Sequence, residues 1–378
     1  MITVRAGSQV HTILVLLAMA GEFPMYSVHL IGNPRIYKRK ILALAMPQTF
    51  RNPNTGEEIA TKLVNVSGKG KEKTIRLYKG ALPILEWIGL YETYQAQFYN
   101  HSFSGQARIK NRNHRVAEVL VACMRAGIEI LPSEMPRIQA EKRLRLFSEQ
   151  AVFYTARQFK NLSVGEMNKI KFTRLVGALM VANETYAVYN VRDTVMKWNG
   201  RGEFKTKAAL AEVARMNVSD DGVEKVIVFG ESEEKVLKTV LNSEEKNGKD
   251  FRLDFIYRAV FFIPLNDNGM RLFRFFLVQN WREQLQELLF DESERLDELS
   301  SLECDAYVNG VYVFSYLDLD IAKLIRFKNA TLDGEMDYEI VCYPFQVKFI
   351  KEYFGKDVKV KTIELIAIEQ ALGVVEVE

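Results

Sequence analysis

From residue 151 to the end of the chain, the spacing of apolar residues alternates between the period of strands and that of helices. This alternation constrains the fold more than any other feature. Short apolar runs typical of strands are separated by segments with apolar residues three and four apart, which are typical of helices. This alternation predicts a mixed α/β, or α+β, architecture. The predicted strands are residues 151–155, 175–182, 186–191, 224–229, 258–263, 303–308, 311–316, 338–342 and 358–363, and the predicted helices are residues 204–216, 232–242, 270–289, 319–327, 345–354 and 364–372.

Two pairs of these strands are joined by tight turns, at residues 182–185 and at Asn309-Gly310, and the second turn is a strong hairpin signal. Hairpins among alternating elements predict mixed rather than purely parallel sheets. Residues 175–229 follow the order strand, strand, helix, strand, close to the core of restriction-endonuclease-like folds. Because the two strands read LVGALMV and YAVYNV, without the acidic residues of such enzymes, we predict a degenerate core there.

Short helical segments, with a Gly32-Asn33-Pro34 turn before the third, open the chain. Glycine and proline at such a turn are typical of a helix-turn-helix. Two strand-like segments joined by a tip rich in glycine and lysine follow, and this order predicts an N-terminal winged helix-turn-helix. The predicted helices are residues 8–20, 25–31, 35–46 and 81–90, and the predicted strands are residues 60–66 and 74–79.

These patterns predict four regions. Residues 1–100 form the winged helix-turn-helix, and residues 101–150 form a helical linker that contains a helix near its start. Residues 151–245 form the degenerate nuclease-like α/β domain, and residues 246–378 form a C-terminal α/β domain. Their lengths are in the ordinary range for small domains and linkers.

Charge is unevenly distributed along the chain. Residues 1–115 contain 16 Lys and Arg against 6 Asp and Glu, a net charge of +10. The remainder contains 35 against 42, a net charge of −7. A basic module joined to an acidic body indicates that a polyanion binds the first part only.

The basic residues concentrate on the third helix and on the hairpin. On the helix, Tyr37, Ile41 and Leu44 share one face, which leaves the cations on the other faces. Such a helix fits the major groove, where arginine contacts guanine and lysine neutralises phosphates. The alternative is a solvated surface helix. The predicted DNA contacts are Arg35, Lys38, Arg39 and Lys40 on the helix and Lys69, Lys71, Lys73 and Arg76 on the hairpin.

A polar segment at residues 111–115 allows two interpretations, a further phosphate contact or a helix start capped by Asn111 or Asn113. We expect no cofactor and no metal, because no Cys/His cluster occurs and Gly68-Lys69-Gly70-Lys71 lacks the spacing of a phosphate loop. We expect each histidine to be a surface or capping residue. They are His11, His29, His101 and His114.

An enzymatic alternative rests on the hairpin of the C-terminal region. Asp305 precedes its turn, and Asp318 and Asp320 follow its return strand. Carboxylates in this order, with a lysine two residues after the second, hold magnesium in many nucleases. Position 320 is aspartate where lysine is needed, and Asp318 also suits the start of helix 319–327. The sequence therefore favours a protein without this activity.

The apolar run at residues 13–20, which ends Ala18-Met19-Ala20, resembles the end of a signal peptide. Its helical spacing, with Ser8 as N-cap, favours a core helix instead. No run reaches the ~20 apolar residues that span a bilayer. With widely separated cysteines, these features predict a cytoplasmic protein without membrane attachment.

The helix-turn-helix and wing, the run Asn113-His114-Arg115-Val116-Ala117-Glu118 and the block from Arg174 to Trp198 together resemble the replication-relaxation family. The resemblance covers residues 8–230. That family comprises DNA-binding proteins of bacterial plasmids and integrative elements, linked to plasmid replication or mobilisation, with a nuclease-like second domain. The resemblance implies a protein of a mobile genetic element.

We therefore predict a sequence-specific double-stranded DNA-binding protein of a mobile genetic element, acting in replication, mobilisation or transcriptional control. The acidic body would form a homodimer or bind replication or conjugation proteins. The alternatives are a metal-dependent nuclease or nicking enzyme that uses Asp305, Asp318 and Asp320, and a transcriptional regulator whose body senses a ligand.

Overall fold

A computed structural model describes the chain in ten segments. The chain divides into two compact units, Met1–Ser133 and Glu134–Glu378. Both contain helices and sheets, so the predicted mixed α/β class is confirmed. The described residues are 2–103, 105–131, 151–161, 175–181, 184–193, 201–217, 222–235, 256–296, 303–332 and 336–374.

Helix α1 (Gln9–Ala20) is the central element of the first unit. The Ser8 hydroxyl accepts a hydrogen bond from the His11 amide at 3.2 Å, and Gly21, at φ 74°, ends the helix. Because α1 is apolar on almost all sides, it is buried by the elements around it. The predicted helix at residues 8–20 is therefore confirmed as a core helix.

Helices α2 (Val28–Ile31) and α3 (Pro34–Leu44) follow. The Asn33 side chain caps α3 by accepting hydrogen bonds from the amides of Arg35 and Ile36, and Pro34 occupies its first turn. Both helices were predicted, but the start of the second prediction, Met25–Ser27, is a single turn of 3₁₀ helix.

Five short strands of the first unit form two sheets. The three-stranded sheet has the order β1-β5-β4 with antiparallel neighbours, and β2 pairs with β3. The single strand predicted at residues 60–66 is wrong, because β3 and β4 pair with different partners. The predicted hairpin tip does join β4 to β5. The strands are β1 (Glu22–Pro24), β2 (Gln48–Arg51), β3 (Glu58–Thr61), β4 (Val64–Ser67) and β5 (Thr74–Leu77).

Helices α4 (Leu82–Trp87), α5 (Tyr91–Gln97) and α6 (Ala107–Ala126) complete the first unit. Helix α6 packs against α1 and β1, and its buried residues include Val119 and Leu120. The prediction of residues 101–150 as a linker is therefore corrected for α6, which belongs to the core of the first unit. The remainder of that linker, residues 132–150, lies outside the described residues.

The second unit contains two mixed sheets. The first has the order β10-β9-β8-β7-β6, in which β6, β7 and β8 are antiparallel neighbours and β8, β9 and β10 are parallel. All five strands were predicted. They are β6 (Val152–Thr155), β7 (Leu175–Val181), β8 (Glu184–Arg192), β9 (Lys225–Gly230) and β10 (Ala259–Pro264).

The second sheet has the order β11-β12-β13-β14, with one antiparallel pair followed by two parallel pairs. One apolar cluster draws on both sheets, so the predicted domains 151–245 and 246–378 share a core. The amide of Val260 in β10 also donates to Asp320, just after β12, at 3.0 Å. The strands are β11 (Ala306–Val308), β12 (Val311–Ser315), β13 (Tyr338–Cys342) and β14 (Lys359–Thr362).

Helices cover the strands of the second unit. The helix predicted at residues 270–289 is interrupted by a 3₁₀ segment at Arg274–Leu277 and by Asn280, at φ 52°. Most of the helix predicted at residues 232–242 lies outside the described residues. No helix in the described segments is long and apolar enough to cross a membrane. The helices are α7 (Ala156–Asn161), α8 (Arg201–Asn217), α9 (Asp267–Phe273), α10 (Trp281–Leu289), α11 (Ile321–Leu332), α12 (Val347–Phe354) and α13 (Leu365–Ala371).

Candidate nucleic-acid interface

The predicted DNA contacts of α3 lie on its outer surface. Ile41 and Leu44 are both 1% exposed and hold the helix on the core. Arg35, Lys38 and Arg39 are exposed. Lys40 is half-buried at the edge of the packed face. Within the described residues, none of these four cationic side chains forms an ion pair, so their charge is directed to solvent.

The hairpin between β4 and β5 carries a second group of cations. Lys69 and Lys71 are exposed at its tip, and Lys73 is half-buried. Gly68 has φ 86°, and a Cβ atom there would lie 2.5 Å from the Glu72 carbonyl oxygen, so the turn requires glycine. The glycine and lysine of the tip therefore have separate roles: glycine permits the turn, and lysine provides exposed charge.

Arg76, which we predicted as a DNA contact, forms an ion pair within the first unit. Its Nη2 and Nε atoms lie 2.5 and 2.6 Å from Oε1 of Glu22, which is 1% exposed. The guanidinium also lies 5.0 Å from the centre of the Phe103 ring. The physical reason is register, because β1 and β5 place Glu22 directly opposite Arg76. Arg76 neutralises a buried carboxylate.

Helix α6 uses its polar residues to join the elements of the first unit. Asn113 donates to Glu22 at 3.0 Å, and the His114 ring lies 3.2 Å from the Thr74 hydroxyl. Glu118, fully buried, accepts a hydrogen bond from Ser27 at 2.6 Å. The helix begins at residue 107, so neither Asn111 nor Asn113 caps it. The prediction of His114 as a surface or capping residue is also wrong.

The start of α6 adds Arg108 and Lys110, which we did not predict as contacts, and Arg112, which lies in the segment 111–115 where a phosphate contact was one of two predictions. Lys110 lies 2.9 Å from Glu72 in the hairpin tip, which places this end of α6 beside the hairpin. Arg108 is exposed, and burial together with the charge of Arg108 lowers the pKa of Arg112. Two arginines four residues apart share a helix face. That spacing was visible in the sequence.

A cluster of buried charges lies in the second unit. It consists of the carboxylates of the enzymatic alternative and two cations. Asp305 accepts hydrogen bonds from Lys323 Nζ, from Gln286 at 3.1 Å and from the Ser315 amide at 2.7 Å. The lysine that the alternative lacked is therefore supplied by α11, one turn into the helix.

Asp318 and Asp320 share the second cation of the cluster. Arg282 Nη2 lies 2.9 Å from Asp318 and 3.6 Å from Asp320. Asp320, and not Asp318, caps α11, since its Oδ1 accepts hydrogen bonds from the amides of Ala322 at 3.0 Å and Lys323 at 3.3 Å. The prediction of Asp318 as the N-cap is corrected because the helix begins at residue 321. Asp318 instead accepts from the Asp320 amide.

The pKa values of Asp318 and Asp320 shift in opposite directions. Burial alone would raise the pKa of Asp318, but the charges of Lys323 and Arg282 hold it below the ordinary value. Burial and the neighbouring negative charge of Asp318 raise the pKa of Asp320. Burial disfavours the charged form of Lys323, but Asp305 and Asp318 outweigh it and raise the pKa of Lys323. The pattern is that of carboxylates balanced by internal cations.

The cluster lines a cleft of about 620 Å³, so part of it faces solvent. Its carboxylate oxygens nevertheless already accept hydrogen bonds from Lys323, Arg282, Gln286 and backbone amides. A divalent cation would have to displace these donors and approach two positive side chains. Among the described residues, no three His, Cys, Asp or Glu side chains are grouped so that they could hold a metal ion.

Comparisons of the chain with family models, with curated proteins and with solved structures found no match.

Proposed function

We propose that the first unit is a winged helix-turn-helix that binds double-stranded DNA in a sequence-specific manner. Helix α3 would lie in the major groove, and the hairpin tip would contact the phosphate backbone. One observation carries this proposal: the cations of α3 and of the hairpin tip have no ion-pair partners within the described residues. They are Arg35, Lys38, Arg39, Lys40, Lys69, Lys71 and Lys73.

The order of elements supports this assignment. A strand stands between the first two helices, and a hairpin follows the third. The sheet order β1-β5-β4 puts that first strand beside the returning arm of the hairpin. This connectivity is typical of winged helices. The buried bonds of Arg76, Asn113 and Glu118 hold β1, α2 and α6 in position, which keeps α3 and the hairpin on one rigid scaffold.

A role in the replication, mobilisation or transcriptional control of a mobile genetic element is the biological part of the proposal. It rests on the family resemblance of the N-terminal pattern and of residues 113–118. The second unit, residues 134–378, contains 34 Lys and Arg against 40 Asp and Glu, a net charge of −6. This negative charge disfavours DNA binding by the second unit and favours protein partners. Its partners would be a second copy of the chain or replication or conjugation proteins.

The salt dependence of binding tests the proposal. Each neutralised phosphate contributes about −0.9 to the slope of log K against log salt concentration. If about five of the seven cations contact phosphate, we expect a slope of about −4 to −5 on duplex DNA. A slope near zero, or no binding at low salt, would show that the first unit does not bind DNA.

A matched pair of variants separates specific contacts from net charge. Replacement of Lys69, Lys71 and Lys73 by glutamine removes about two to three phosphate contacts. The slope of log K against log salt concentration should therefore become less negative by roughly 2–3. The control replaces Lys348, Lys356 and Lys361, exposed lysines of the second unit, by glutamine. It changes net charge equally and should leave the slope unchanged. Equal effects of the two variants would contradict an interface on the hairpin.

A further inference from the structure

The outer face of α3 and the residues just after it expose large apolar side chains as well as cations. Leu42 is 51% exposed and Met46 is 63% exposed. At 100° per residue, Leu42 falls on the same stripe as Arg35 and Arg39, opposite the buried Leu44, and Met46 follows two residues after the end of the helix. The stripe that faces away from the core is therefore cationic in the first half of the helix and apolar at Leu42, and the exposed Met46 follows just beyond the helix end.

This stripe matches the chemistry of a major groove and differs from an ordinary solvated helix face. Single exposed apolar residues are common, but here they continue a line of arginines that form no ion pair with any other described residue. The major groove presents acceptors on guanine, which arginine binds, and one apolar group, the C5-methyl of thymine. An apolar protein partner would have to cover Arg35 and Arg39 as well, leaving their charges without partners.

We propose that Leu42 in α3 and Met46, two residues after the end of α3, read thymine by contact with C5-methyl groups, while Arg35 and Arg39 bind neighbouring guanines. The target half-site would then contain guanine followed, along the helix direction, by thymine. This inference rests on the proposed DNA binding and adds the chemical class of the sequence that is read.

Replacement of thymine by deoxyuridine tests the inference, because it removes the methyl group and leaves the O4 acceptor in place. The probe is the duplex most enriched by the full-length protein from a random pool. Burial of one methyl group is worth ~0.8 kcal/mol, so we expect about fourfold weaker binding when the contacted thymine is replaced.

Variants of Leu42 and Met46 test which side chain contacts the thymine methyl group. In Leu42→Ala or Met46→Ala, replacement of one thymine by deoxyuridine should no longer weaken binding. Lys38→Ala should weaken both duplexes alike and keep the difference. Because Leu42 and Met46 are exposed, an unchanged urea midpoint is expected and serves as the check on folding.

The outcomes are distinct. Failure to enrich any duplex would overturn both the DNA-binding proposal and this inference. Tight binding with equal affinity for thymine and deoxyuridine duplexes would overturn the inference alone. A methyl dependence that persists in both the Leu42 and the Met46 variants would also overturn it, since the contact would then lie elsewhere. Loss of the dependence in one of them supports it.

Discussion

The ammonium of Lys323 donates a hydrogen bond to Oδ1 of Asp305, 18 residues away, in the interior of the second unit. Lys323 is 9% exposed and Asp305 is 4% exposed. Ionised groups at such depth are retained only when each is paired and hydrogen-bonded. Asp318 and Arg282 complete the pairing, and the cluster thereby joins α10, α11 and the hairpin of the second sheet.

Removal of one member of this pair should destabilise the second unit strongly. In Lys323→Met, side-chain length is kept while the charge is lost, and Asp305 keeps its charge without its main partner. We expect unfolding free energy to fall by about 3–5 kcal/mol, the cost of breaking a buried pair. Urea denaturation measures it, with the exposed Lys348→Met as control. A loss below ~1 kcal/mol would mean that the pair is screened by solvent.

The effect of Asp318 should depend on pH in the acid range. Its pKa lies below the ordinary value of 3.8, so its ionised form stabilises the folded state at every pH above that value. That contribution disappears as pH falls through the lowered pKa. The stability difference between Asp320→Asn and the double variant Asp318→Asn, Asp320→Asn should be constant from about pH 5 to 8 and shrink near pH 3.

Urea midpoints of both proteins at each pH give this difference directly. Both proteins carry Asp320→Asn because the charge of Asp318 raises the pKa of Asp320, and the remaining carboxylates titrate in both and cancel. A difference that grows as the pH is lowered would contradict the assigned direction of the pKa.

We expect no metal-dependent nicking of supercoiled plasmid. The carboxylates of the cluster already accept hydrogen bonds from protein donors, and Lys323 and Arg282 repel a divalent cation. The assay compares wild type with Asp305→Asn and with Asp337→Asn, an exposed aspartate of the same unit. Nicking with magnesium or manganese that wild type and Asp337→Asn share, and Asp305→Asn lacks, would establish the enzymatic alternative.

Arg76 and Lys71 should behave differently although both are hairpin cations. Arg76→Leu leaves the buried Glu22 with Asn113 as its remaining side-chain partner. It should lower unfolding free energy by about 2 kcal/mol, less than a fully buried pair because the arginine side chain is 29% exposed. Lys71→Ala should leave stability within ~0.5 kcal/mol. If Arg76→Leu retains full stability and loses DNA affinity, Arg76 contacts DNA, as the sequence predicted, and does not serve mainly to neutralise Glu22.

Arg39 and Lys71 should separate sequence reading from general affinity. Arg39→Ala should cost about 1–3 kcal/mol on the selected duplex and much less on random DNA. Lys71→Ala should weaken both duplexes alike and lower the salt slope by about one unit. Competition binding with the two duplexes measures both effects. Equal losses for Arg39→Ala on both DNAs would show that α3 does not read bases.

Local signals predicted much of the fold. The α3 start was visible from Asn33 and Pro34, because a cap and a first-turn proline act within three residues of the chain. The turn at Asn309-Gly310 and the strands around it were likewise predicted. β1 was not, since three residues carry too little periodicity to be recognised without the partner strand.

Part of the candidate interface was predictable from the sequence, and part was not. The exposed cations of α3 were predictable, because Tyr37, Ile41 and Leu44 mark the packed face and leave the other faces to solvent. The ion pair of Arg76 was not predictable, since it depends on which residue lies opposite Arg76 in a neighbouring strand. Nothing near Arg76 in the sequence indicates Glu22, which lies 54 residues earlier.

The sequence by itself determined the class of most of the longer elements, the basic character of the first module and the cations on the helix and hairpin tip. These features depend on residues close together along the chain. Only the tertiary structure decided that Arg76 neutralises Glu22, that α6 belongs to the first core and that Lys323 reaches Asp305. Sheet register and helix packing bring these residues together, and a pairing energy that is large only where water is excluded keeps them there.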